Sequence, residues 1–247
     1  MESFKADLHI HSVLSPCANL EMSPTNIVDQ ALKQKLDIIA VADHNSTLHC
    51  PLVRDLALRN GIFAVNAVEV NTREEVHCLC LFDTEGQRVK FQNFIEESIQ
   101  RVPNNPDIFG YQVVVNEQEE ILDEIDYLLH SALRANIDEV EKRVHELGGI
   151  FIPAHVDRLK FSITSQLGFI PPNLNYDALE VSKNSTIDTV IKNNPLITRK
   201  RFIRNSDAHT IEQIGSSYST FRMEKLNFEN LKNAIMGING CEVLVEF

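Results

Sequence analysis

The sequence lacks several features that would assign it to a specialised class of protein. No stretch approaches the ~18–20 consecutive apolar residues of a membrane-spanning helix. The first residues, MESFKADLHIHS, lack the basic start and apolar core of a signal peptide. The five cysteines are odd in number, follow no regular spacing and include no CxxC pair that would suggest a zinc ribbon or a redox site. We therefore expect a cytoplasmic protein with no membrane partner.

Positive charge is scarce in the sequence. The 247 residues include 23 Lys and Arg against 35 Asp and Glu, which gives a formal net charge of −12. Proteins that bind nucleic acids or anionic membranes neutralise phosphates with clustered Lys and Arg. We therefore expect that nucleic acid is not a partner, although bound metal cations can reverse the sign of the charge at one site.

The sequence also lacks the short motifs that mark other common enzyme classes. It has no glycine-rich phosphate loop, no GxSxG nucleophile elbow and no cysteine in a papain-like context. The composition, with 43% hydrophobic and 23% charged residues, is that of a globular protein. A length of 247 residues fits a single α/β barrel, since such barrels commonly run to ~250 residues.

Short apolar runs predict β-strands, and most of them carry His, Asp or Glu at or beside an end. The runs are residues 4–11, 36–44, 63–69, 76–82, 150–155, 178–181 and 201–209, followed by a short final strand at 241–247. Between them lie helical patterns: a helix that begins at Ser23-Pro24, amphipathic stretches at 117–133 and 137–147, and a last helix around 228–235. This alternation predicts a parallel α/β arrangement.

Two α/β architectures fit this alternation. Polar residues at the carboxyl ends of many strands are typical of a barrel, whose sites lie at that face. A doubly wound sheet instead gathers its ligands at one switch point, from fewer strands. We favour the barrel, formed by residues 1–101 and 148–247. Residues 102–147 are too long and too helical for a simple connection, so we predict a small helical insertion there, a candidate substrate cap.

Histidines and carboxylates at the strand ends are the main chemical signal. Alternate residues of a strand face the same side, so His9 and His11 point the same way, as do Asp207 and His209. Each pair alone is also compatible with ordinary polar residues at a strand end. Several more residues of the same kind favour a metal site; they are Asp43, His44, Glu69, His77 and His155.

Metal ions are the usual reason for several carboxylates and imidazoles to share one buried place. A mixed nitrogen and oxygen set suits Zn, Mn or Fe(II) better than Ca or Mg, which prefer oxygen ligands. One catalytic ion takes about three or four protein ligands. The number of candidate ligands therefore predicts two or three divalent ions with a bridging carboxylate.

The same residues form motifs that closely resemble those of one enzyme family. The motifs are Asp7-Leu-His9-Ile-His11-Ser12, Asp43-His44, Glu69, His77, His155 and Asn205-Ser-Asp207-Ala-His209. In order, and over nearly the whole chain, they resemble the motifs of the PHP-domain (polymerase and histidinol phosphatase) metal-dependent phosphoesterases. The resemblance implies a distorted (β/α)7 TIM-like barrel with a trinuclear metal site at the carboxyl ends of its strands.

The resemblance also implies how the ligands are shared among the ions. The implied sets are His9, His11, Glu69 and Asp207 for one ion, Glu69, His77 and His155 for a second, and His44, His209 and Cys17 for a third. Cys17 departs from the family pattern, which usually has Asp or His there. Either its thiolate is a ligand that favours a softer ion, or it is a small buried cysteine that leaves the third site weak.

Two further residues are candidates for contact with the substrate. Arg158 is a candidate phosphate clamp, because a guanidinium presents a bidentate fork; the alternative is an ordinary surface arginine. His49 either lines the pocket and assists the leaving group or faces water in a loop.

Supporting roles are predicted for two carboxylates. Asp7 is expected to orient one of the metal-bound histidines. Glu180 is expected either to pack in the protein or to form a hydrogen bond to a metal ligand from behind. His130 and His145 lie within helical patterns rich in acidic residues, and we expect both to be solvated.

Together these features predict a metal-dependent phosphoesterase. A hydroxide held between two ions would attack a small phosphomonoester, for which we expect a nucleotide, with Glu69 and Asp207 taking part in catalysis. Two alternatives remain. One is a nuclease of the same chemistry, against which the net charge of −12 counts; the other is a module that binds metal without turnover.

Overall fold

A computed structural model describes residues 1–245 as a mixed α/β protein. Its strands are β1 (Glu2–Ile10), β2 (Ile38–Val41), β3 (Phe63–Ala64), β4 (Asn66–Asn71), β5 (His77–Phe82), β6 (Val113–Val115), β7 (Ile121–Glu124), β8 (Ile150–Pro153), β9 (Leu179–Glu180), β10 (Phe202–Ile203), β11 (Ser219–Met223) and β12 (Glu242–Leu244). Its helices are α1 (Pro24–Lys33), α2 (Cys50–Arg59), α3 (Glu85–Ser98), α4 (Pro106–Phe109), α5 (Ile137–Glu146), α6 (Ile163–Leu167), α7 (Ile187–Asn193) and α8 (Phe228–Met236). The end of the final strand predicted at 241–247 lies outside the described residues.

Within residues 1–245 the strands form four sheets. The largest has the order β12-β11-β1-β2-β3, in which β1, β2 and β3 run parallel. β9 and β10 form a parallel pair, β6 and β7 an antiparallel hairpin, and β4, β5 and β8 an antiparallel sheet. The α/β class is therefore confirmed, whereas the ladders of the described residues do not close into one continuous barrel.

The expectation of parallel strands is wrong for β4, β5 and β8. Residues 72–76 connect β4 to β5, and Thr72 N–H donates to the Val76 carbonyl at 3.0 Å within that turn. A parallel crossover needs about a dozen residues or more. The short connection therefore forces β5 back alongside β4 as a hairpin.

The helices α1 and α5 confirm the sequence signals that predicted them. The Ser23 hydroxyl accepts from Asn26 N–H and caps α1, with Pro24 in its first turn. The Asn136 side chain caps α5 and forms a capping box with Glu139. In both helices the apolar stripe faces the protein and is buried.

The helix predicted at 117–133 is wrong. The Asn116 side chain accepts from Gln118 N–H and Glu120 N–H, and Glu119 has a left-handed φ of 63°. This turn closes the β6–β7 hairpin, in which Ile121 is 66% exposed. The apolar spacing of this segment matched a helical stripe by coincidence. The polar turn forms local hydrogen bonds between a side chain and the backbone, and these compete with a helix.

The apolar core joins the separate sheets. One buried cluster draws residues from β1, β2, β4, β5, β8 and β10, among them Leu8, Ile38, Ala67, Leu79 and Ile203. The strands are therefore packed side by side even where their ladders are interrupted, which holds their ends near one another. None of the helices in residues 1–245 has the length and apolar content needed to cross a bilayer.

His145, predicted to be solvated, instead links α5 to the segment before β9. Its Nε2 lies 2.9 Å from Asp177 Oδ2 and its Nδ1 lies 2.5 Å from Glu141 Oε1. The hydrogen bond to Asp177 raises the pKa of His145, and burial opposes this shift. With the charges of Asp177 and Glu141 added, the pKa of His145 is raised above its usual value.

This ion pair predicts a pH-dependent contribution to stability. A raised folded-state pKa stabilises the fold at pH values below the usual histidine pKa of about 6.5, and the gain is lost as the pH rises through the folded-state pKa. We expect His145→Gln to lower the free energy of unfolding by up to about 1 kcal/mol at about pH 5.5 and by less at about pH 8.5. Urea unfolding of both proteins at the two pH values measures the difference, and an equal difference at both would contradict this assignment.

Candidate metal centre

Strand ends bring the predicted ligands to one place. These ligands are His9 and His11 at the end of β1, His44 after β2, Glu69 in β4, His77 at the start of β5, His155 after β8, and Asp207 and His209 after β10. All of these side chains except that of His209 are buried. Backbone hydrogen bonds tie β2 to β4 at the site, since Glu69 N–H donates to the Asp43 carbonyl and Asn45 N–H donates to the Glu69 carbonyl.

Glu69 is the centre of this arrangement. Its Oε1 lies 3.0 Å from His77 Nδ1, 3.0 Å from His155 Nε2 and 3.3 Å from His9 Nε2. Its Oε2 lies 3.1 Å from His44 Nδ1. The same oxygen lies 3.4 Å from His11 Nε2. We call His9, His11, His44, His77 and His155 the five-histidine cluster; both oxygens of one buried carboxylate face it.

Asp207 is the second carboxylate of the site. Its Oδ1 lies 3.1 Å from His11 Nε2 and 3.5 Å from His9 Nε2. His209 follows two residues later, and its ring lies 4.3 Å from the ring of His11. The two predicted same-face pairs, His9 with His11 and Asp207 with His209, therefore meet at one point.

Three residues at the strand ends have a left-handed backbone without being glycine. The φ angles are 47° for Asn45, 30° for His155 and 50° for Asp207. Such conformations cost of order 1–3 kcal/mol each and persist where the surroundings fix them, often at functional sites. Here each one turns the chain directly beside the Glu69 carboxylate or the imidazoles around it.

Buried nitrogens without hydrogen-bond partners test whether these residues suit a metal ion. His9 Nε2, His44 Nδ1, His77 Nε2 and His155 Nδ1 are all buried and unpaired. Four groups bring three ligand atoms each within 4.8 Å of one another: His9, His11 and Glu69; Glu69, His77 and His155; His11, His44 and His209; and His44, His77 and His130. Unpaired buried nitrogens are costly unless a cation binds them, so the donor set fits divalent ions that accept nitrogen and oxygen ligands.

The charges within the site favour the ligand forms of Glu69 and His44 but not those of His9 and His11. Burial favours the neutral form of His9 and His11, yet the carboxylates around them leave the pKa of each raised above its usual value. Burial alone would raise the pKa of Glu69, but the imidazoles of His77 and His9 hold that pKa well below its usual range. Burial, together with the charge of His11, holds the pKa of His44 well below its usual value. An ionised carboxylate and a neutral imidazole are the forms that coordinate metals.

Glu180 supports the site from behind, as one of its two predicted roles requires. Its Oε1 lies 3.0 Å from His9 Nδ1 and accepts from Asn205 Nδ2 at 2.7 Å. Its Oε2 accepts from His155 N–H at 2.9 Å. The carboxylate therefore holds the proton of His9 on Nδ1 and leaves Nε2 facing Glu69, which is how carboxylates commonly orient metal-binding histidines.

Asp43 performs the same task for His11 through a serine. The Ser15 hydroxyl donates to Asp43 Oδ1 at 2.7 Å, so its oxygen accepts from His11 Nδ1 at 3.0 Å. This places the lone pair of His11 on Nε2, toward Asp207 and Glu69. Asp43 also accepts from the backbone and hydroxyl of Ser12.

Asp7 does not orient a histidine, contrary to the prediction. Its carboxylate accepts from Ser206 N–H at 3.0 Å and from Gly215 N–H at 2.9 Å. Burial raises the pKa of Asp7 to about 6, although these hydrogen bonds oppose the shift. Asp7 therefore fixes the loop that carries Asp207 rather than a metal-binding imidazole.

His49 is buried, so the prediction that it faces water is wrong. The alternative role, in which His49 assists the leaving group, needs a ring nitrogen without a protein partner. Its Nε2 accepts from Val115 N–H at 3.0 Å, and its Nδ1 lies 2.7 Å from the Ser12 hydroxyl. Both ring nitrogens are occupied by protein partners, and neither is available to a leaving group. His49 instead connects β6 to the loop after β1.

His130 is the residue of the site that sequence reasoning missed. It lies in an irregular segment, not in the predicted helix, and its ring centroid is 4.4 Å from that of His44 and 5.3 Å from that of His77. The expectation of a solvated side chain is wrong. No pattern in the sequence pointed to His130, because it belongs to no strand and to none of the recognised motifs.

Cys17 is apart from the four groups of ligand atoms found in residues 1–245. The residue as a whole is exposed, while desolvation of the thiol and the carboxylates of Glu69 and Asp207 raise its pKa to about 12. Its role as a ligand stays a prediction, and without a cation nearby the thiol keeps its proton.

Arg158 stands at the mouth of the site. Its Nη1 lies 2.5 Å from Asp207 Oδ2, and its side chain is 40% exposed. A cavity of about 700 Å³ opens there, lined among others by Arg158, Lys160, His77, His155 and Asn184. A ligand in this cavity would touch both a guanidinium and two imidazoles of the five-histidine cluster.

Comparisons with known proteins give the fold a name. No family model matches the chain. The uncharacterized protein YqxK of Bacillus subtilis is 28% identical over 120 residues, which cover 44% of this chain and 29% of that protein. A two-domain protein from Bacteroides vulgatus, described as containing a predicted PHP-like metal-dependent phosphoesterase, superposes with a TM-score of 0.58 and 16% identity over 99% of this chain and 65% of its own.

The chain has the fold of the PHP-like metal-dependent phosphoesterases.

A second similar structure bears on the partners of this fold. The lesion-specific endonuclease PfuEndoQ of Pyrococcus furiosus superposes with a TM-score of 0.71 and 21% identity, over 98% of this chain and 58% of its own. The chain thus spans well under two thirds of the endonuclease and of the Bacillus protein. A structure of endonuclease Q with a 27-mer duplex that carries an abasic lesion at the active site is similar as well, with a TM-score of 0.68 and 19% identity.

The expectation that nucleic acid is not a partner, which rested on the net charge, is therefore wrong. A protein with this PHP-like fold binds duplex DNA at its active site. The net charge of −12 is a sum over the whole chain. It does not report the local charge of a mouth lined by Arg158 and Lys160, where a bound cation would add further positive charge.

The contacts within the site predict what loss of one of these side chains does. His9→Ala removes an imidazole that faces both Glu69 and Asp207, and Asp207→Asn removes a carboxylate charge. We expect each variant to bind fewer divalent ions than the wild type, measured by inductively coupled plasma mass spectrometry after loading with Zn or Mn and desalting. His145→Gln is the matched control, because it removes a histidine outside all four groups; an unchanged metal content in His9→Ala would refute the assignment.

Proposed function

We propose that the chain hydrolyses phosphoesters with divalent metal ions bound around Glu69. The observation that carries the proposal is that both oxygens of this one carboxylate face imidazoles of the five-histidine cluster. A carboxylate with ligands on both sides is what a bridge between two ions requires. The PHP-like fold supports the same reading.

The proposed ions number two or three and are Zn, Mn or Fe. His9, His11, Glu69 and Asp207 would hold one, and Glu69, His77 and His155 a second; His44 and His209 would take part in a third, with Cys17 as a predicted ligand. When bound, such ions lower the pKa of a water between them and offset charge on the phosphoryl oxygens. Glu180 and Asp43 meanwhile keep the lone pairs of His9 and His11 aimed inward.

Arg158 is the proposed clamp for the phosphoryl group. Its guanidinium lies against Asp207 and reaches into the cavity, so a bound phosphoryl oxygen would be within its range. A planar fork donates two parallel hydrogen bonds to such an oxyanion. Asp207 fixes the position of this fork, which places the clamp beside the proposed ions.

The substrate class has two candidates. The first is a small phosphomonoester such as a nucleotide, supported by a cavity of about 700 Å³ that a molecule of that size fills. The second is a phosphodiester of damaged DNA, supported by the structural similarity to endonuclease Q over 98% of this chain. We place the reaction in the cytoplasm as part of the proposal, since all five cysteines are free thiols.

We further propose that the sheets together form a distorted (β/α)7 barrel around this site, made of residues 1–101 and 148–245, with residues 102–147 as its cap. Single hydrogen bonds between sheets support this: Val156 N–H donates to the Glu180 carbonyl, and His11 N–H donates to the Ala208 carbonyl, both at 2.9 Å. In the cap, Val115 N–H donates to His49. That bond ties the β6–β7 hairpin to the protein beside the site.

A comparison of substrates tests the function. Protein loaded with Zn, Mn or Fe is offered an aryl phosphate, a panel of nucleoside monophosphates, and intact and abasic duplex DNA of equal length. We expect metal-dependent release of phosphate from the monoesters or cleavage at the lesion, and loss of either activity in His9→Ala. Metal binding with no hydrolysis of any of these phosphoesters would favour the non-catalytic module.

The clamp predicts a specific kinetic signature. We expect Arg158→Lys to raise the KM for a phosphomonoester about tenfold, because a point charge replaces the bidentate fork. Metal content is expected to be unchanged. Arg143→Lys on α5 is the matched control, since that arginine contacts Glu146 on the surface. Wild-type KM and kcat in Arg158→Lys would show that residue 158 is an ordinary surface arginine.

A further inference from the structure

Three imidazoles meet on the side of the cluster that faces residues 126–131. The ligand atoms of His44, His77 and His130 lie within 4.8 Å of one another. The rings of His44 and His130 are nearly perpendicular, with an interplanar angle of 83°, and those of His77 and His130 meet at 82°. The recognised motifs contain His44 and His77 but not His130.

One ring nitrogen of His77 and both of His130 are without hydrogen-bond partners in the described part of the chain. His77 Nδ1 lies 3.0 Å from Glu69 Oε1, while its Nε2 is buried without a hydrogen-bond partner. No hydrogen bond joins the His130 ring to any other part of residues 1–245. With Nδ1–H donating to the Glu69 carboxylate, His77 would offer Nε2 to a cation, which is the arrangement in which a carboxylate supports a metal-bound imidazole.

Two asparagines clamp the backbone that carries His130. Asn45 Nδ2 donates to the carbonyls of Leu129 and Ser131, both at 2.8 Å. Asn71 Nδ2 donates to the carbonyl of His130 itself at 2.9 Å. Asn45 directly follows His44 and Asn71 lies two residues after Glu69, so the clamp ties the placement of His130 to the strand ends of the site.

An aromatic wall orients two of the rings. Phe161 stacks on His77 with centroids 4.7 Å apart and an interplanar angle of 10°. The same ring meets His130 edge-on at 5.0 Å and 89°. The Phe161 carbonyl accepts from His77 N–H at 2.8 Å, so the wall is fixed to β5. His130 is thus held both by its backbone and by its ring.

We propose that His44, His77 and His130 form a three-imidazole site for a divalent ion of the Zn or Co type. Three neutral imidazoles with an open fourth position are a known ligand set for catalytic zinc. The inference rests on the proposed metal dependence and adds a ligand to it. His44 also belongs to the group with His11 and His209. His77 likewise belongs to the group with Glu69 and His155. A neutral imidazole gives its one lone pair to one ion. With this ion bound, His44 and His77 would therefore serve it in place of the ions proposed beside Cys17 and beside His155.

Metal affinity measures the contribution of His130. Co(II) is titrated into apo wild type, His130→Gln and His145→Gln by isothermal calorimetry, with stoichiometry checked by mass spectrometry. We expect His130→Gln to lose one ion or to bind it at least about tenfold more weakly, while His145→Gln matches the wild type. Equal stoichiometry and affinity in wild type and His130→Gln would overturn the three-imidazole site.

A gain of signal guards against a variant that merely misfolds. In a Cys17→Ala background, His130→Cys would place a thiolate on the ion, and the Co(II) complex would acquire a sulfur-to-cobalt charge-transfer band in the near ultraviolet. Cys17→Ala alone should lack this band. Absence of the band in the double variant, with Co(II) bound, would overturn the proposal.

Failure of this site and failure of the proposed function are distinguishable. A wild type that binds no Co(II), Zn or Mn would overturn the proposed function and this site with it. A wild type that binds ions and hydrolyses phosphoesters, with His130→Gln unchanged in metal binding, would overturn the three-imidazole site alone.

Discussion

The buried Glu69 carboxylate is the constraint on which the rest of the site depends. Five imidazoles lie 3.0–3.4 Å from its two oxygens. Two of them come from the carboxyl end of β1, and the others from the segments after β2 and β8 and from the start of β5. One carboxylate cannot form hydrogen bonds to all five imidazoles. Four buried ring nitrogens of the five-histidine cluster have no hydrogen-bond partner. The proposed divalent ions would resolve this mismatch, since they take up nitrogen lone pairs and carboxylate charge together.

A layer of hydrogen bonds behind the ligands decides which nitrogen His9 and His11 present. Glu180 fixes His9, and Asp43 fixes His11 through Ser15. Asp7 fixes the loop that carries Asp207 by accepting two backbone N–H groups. These carboxylates are buried, and the hydrogen bonds that they accept order the metal-site histidines and the loop that carries Asp207.

The sequence predicted which side chains meet around Glu69 better than it predicted the scaffold that holds them. Period-two spacing predicted that His9 and His11 point the same way, because that geometry is local to β1 and its end. Asp207 and His209 meet at the same place, although they follow β10 and Asp207 has a left-handed φ of 50°. Reasoning from the sequence failed at residues 117–133, where the turn at Asn116 overrode a helical pattern. It also failed at His49, whose partners Ser12 and Val115 are far away in the chain. His130 was missed for the same reason: the backbone clamp from Asn45 and Asn71 exists only in three dimensions. Whole-chain charge likewise misjudged the partners, since it averages over a site that cations would change locally.

The asparagine clamp on residues 129–131 donates only to main-chain carbonyls, so it does not depend on the side chains of those residues. Exchanging the side chain at position 130 therefore leaves the loop where it is, whereas exchanging Asn45 or Asn71 would release it. In the proposed three-imidazole site, variation at position 130 would change one ligand of the ion while the scaffold stays in place. Position 130 is thus a convenient place at which to redesign the proposed centre.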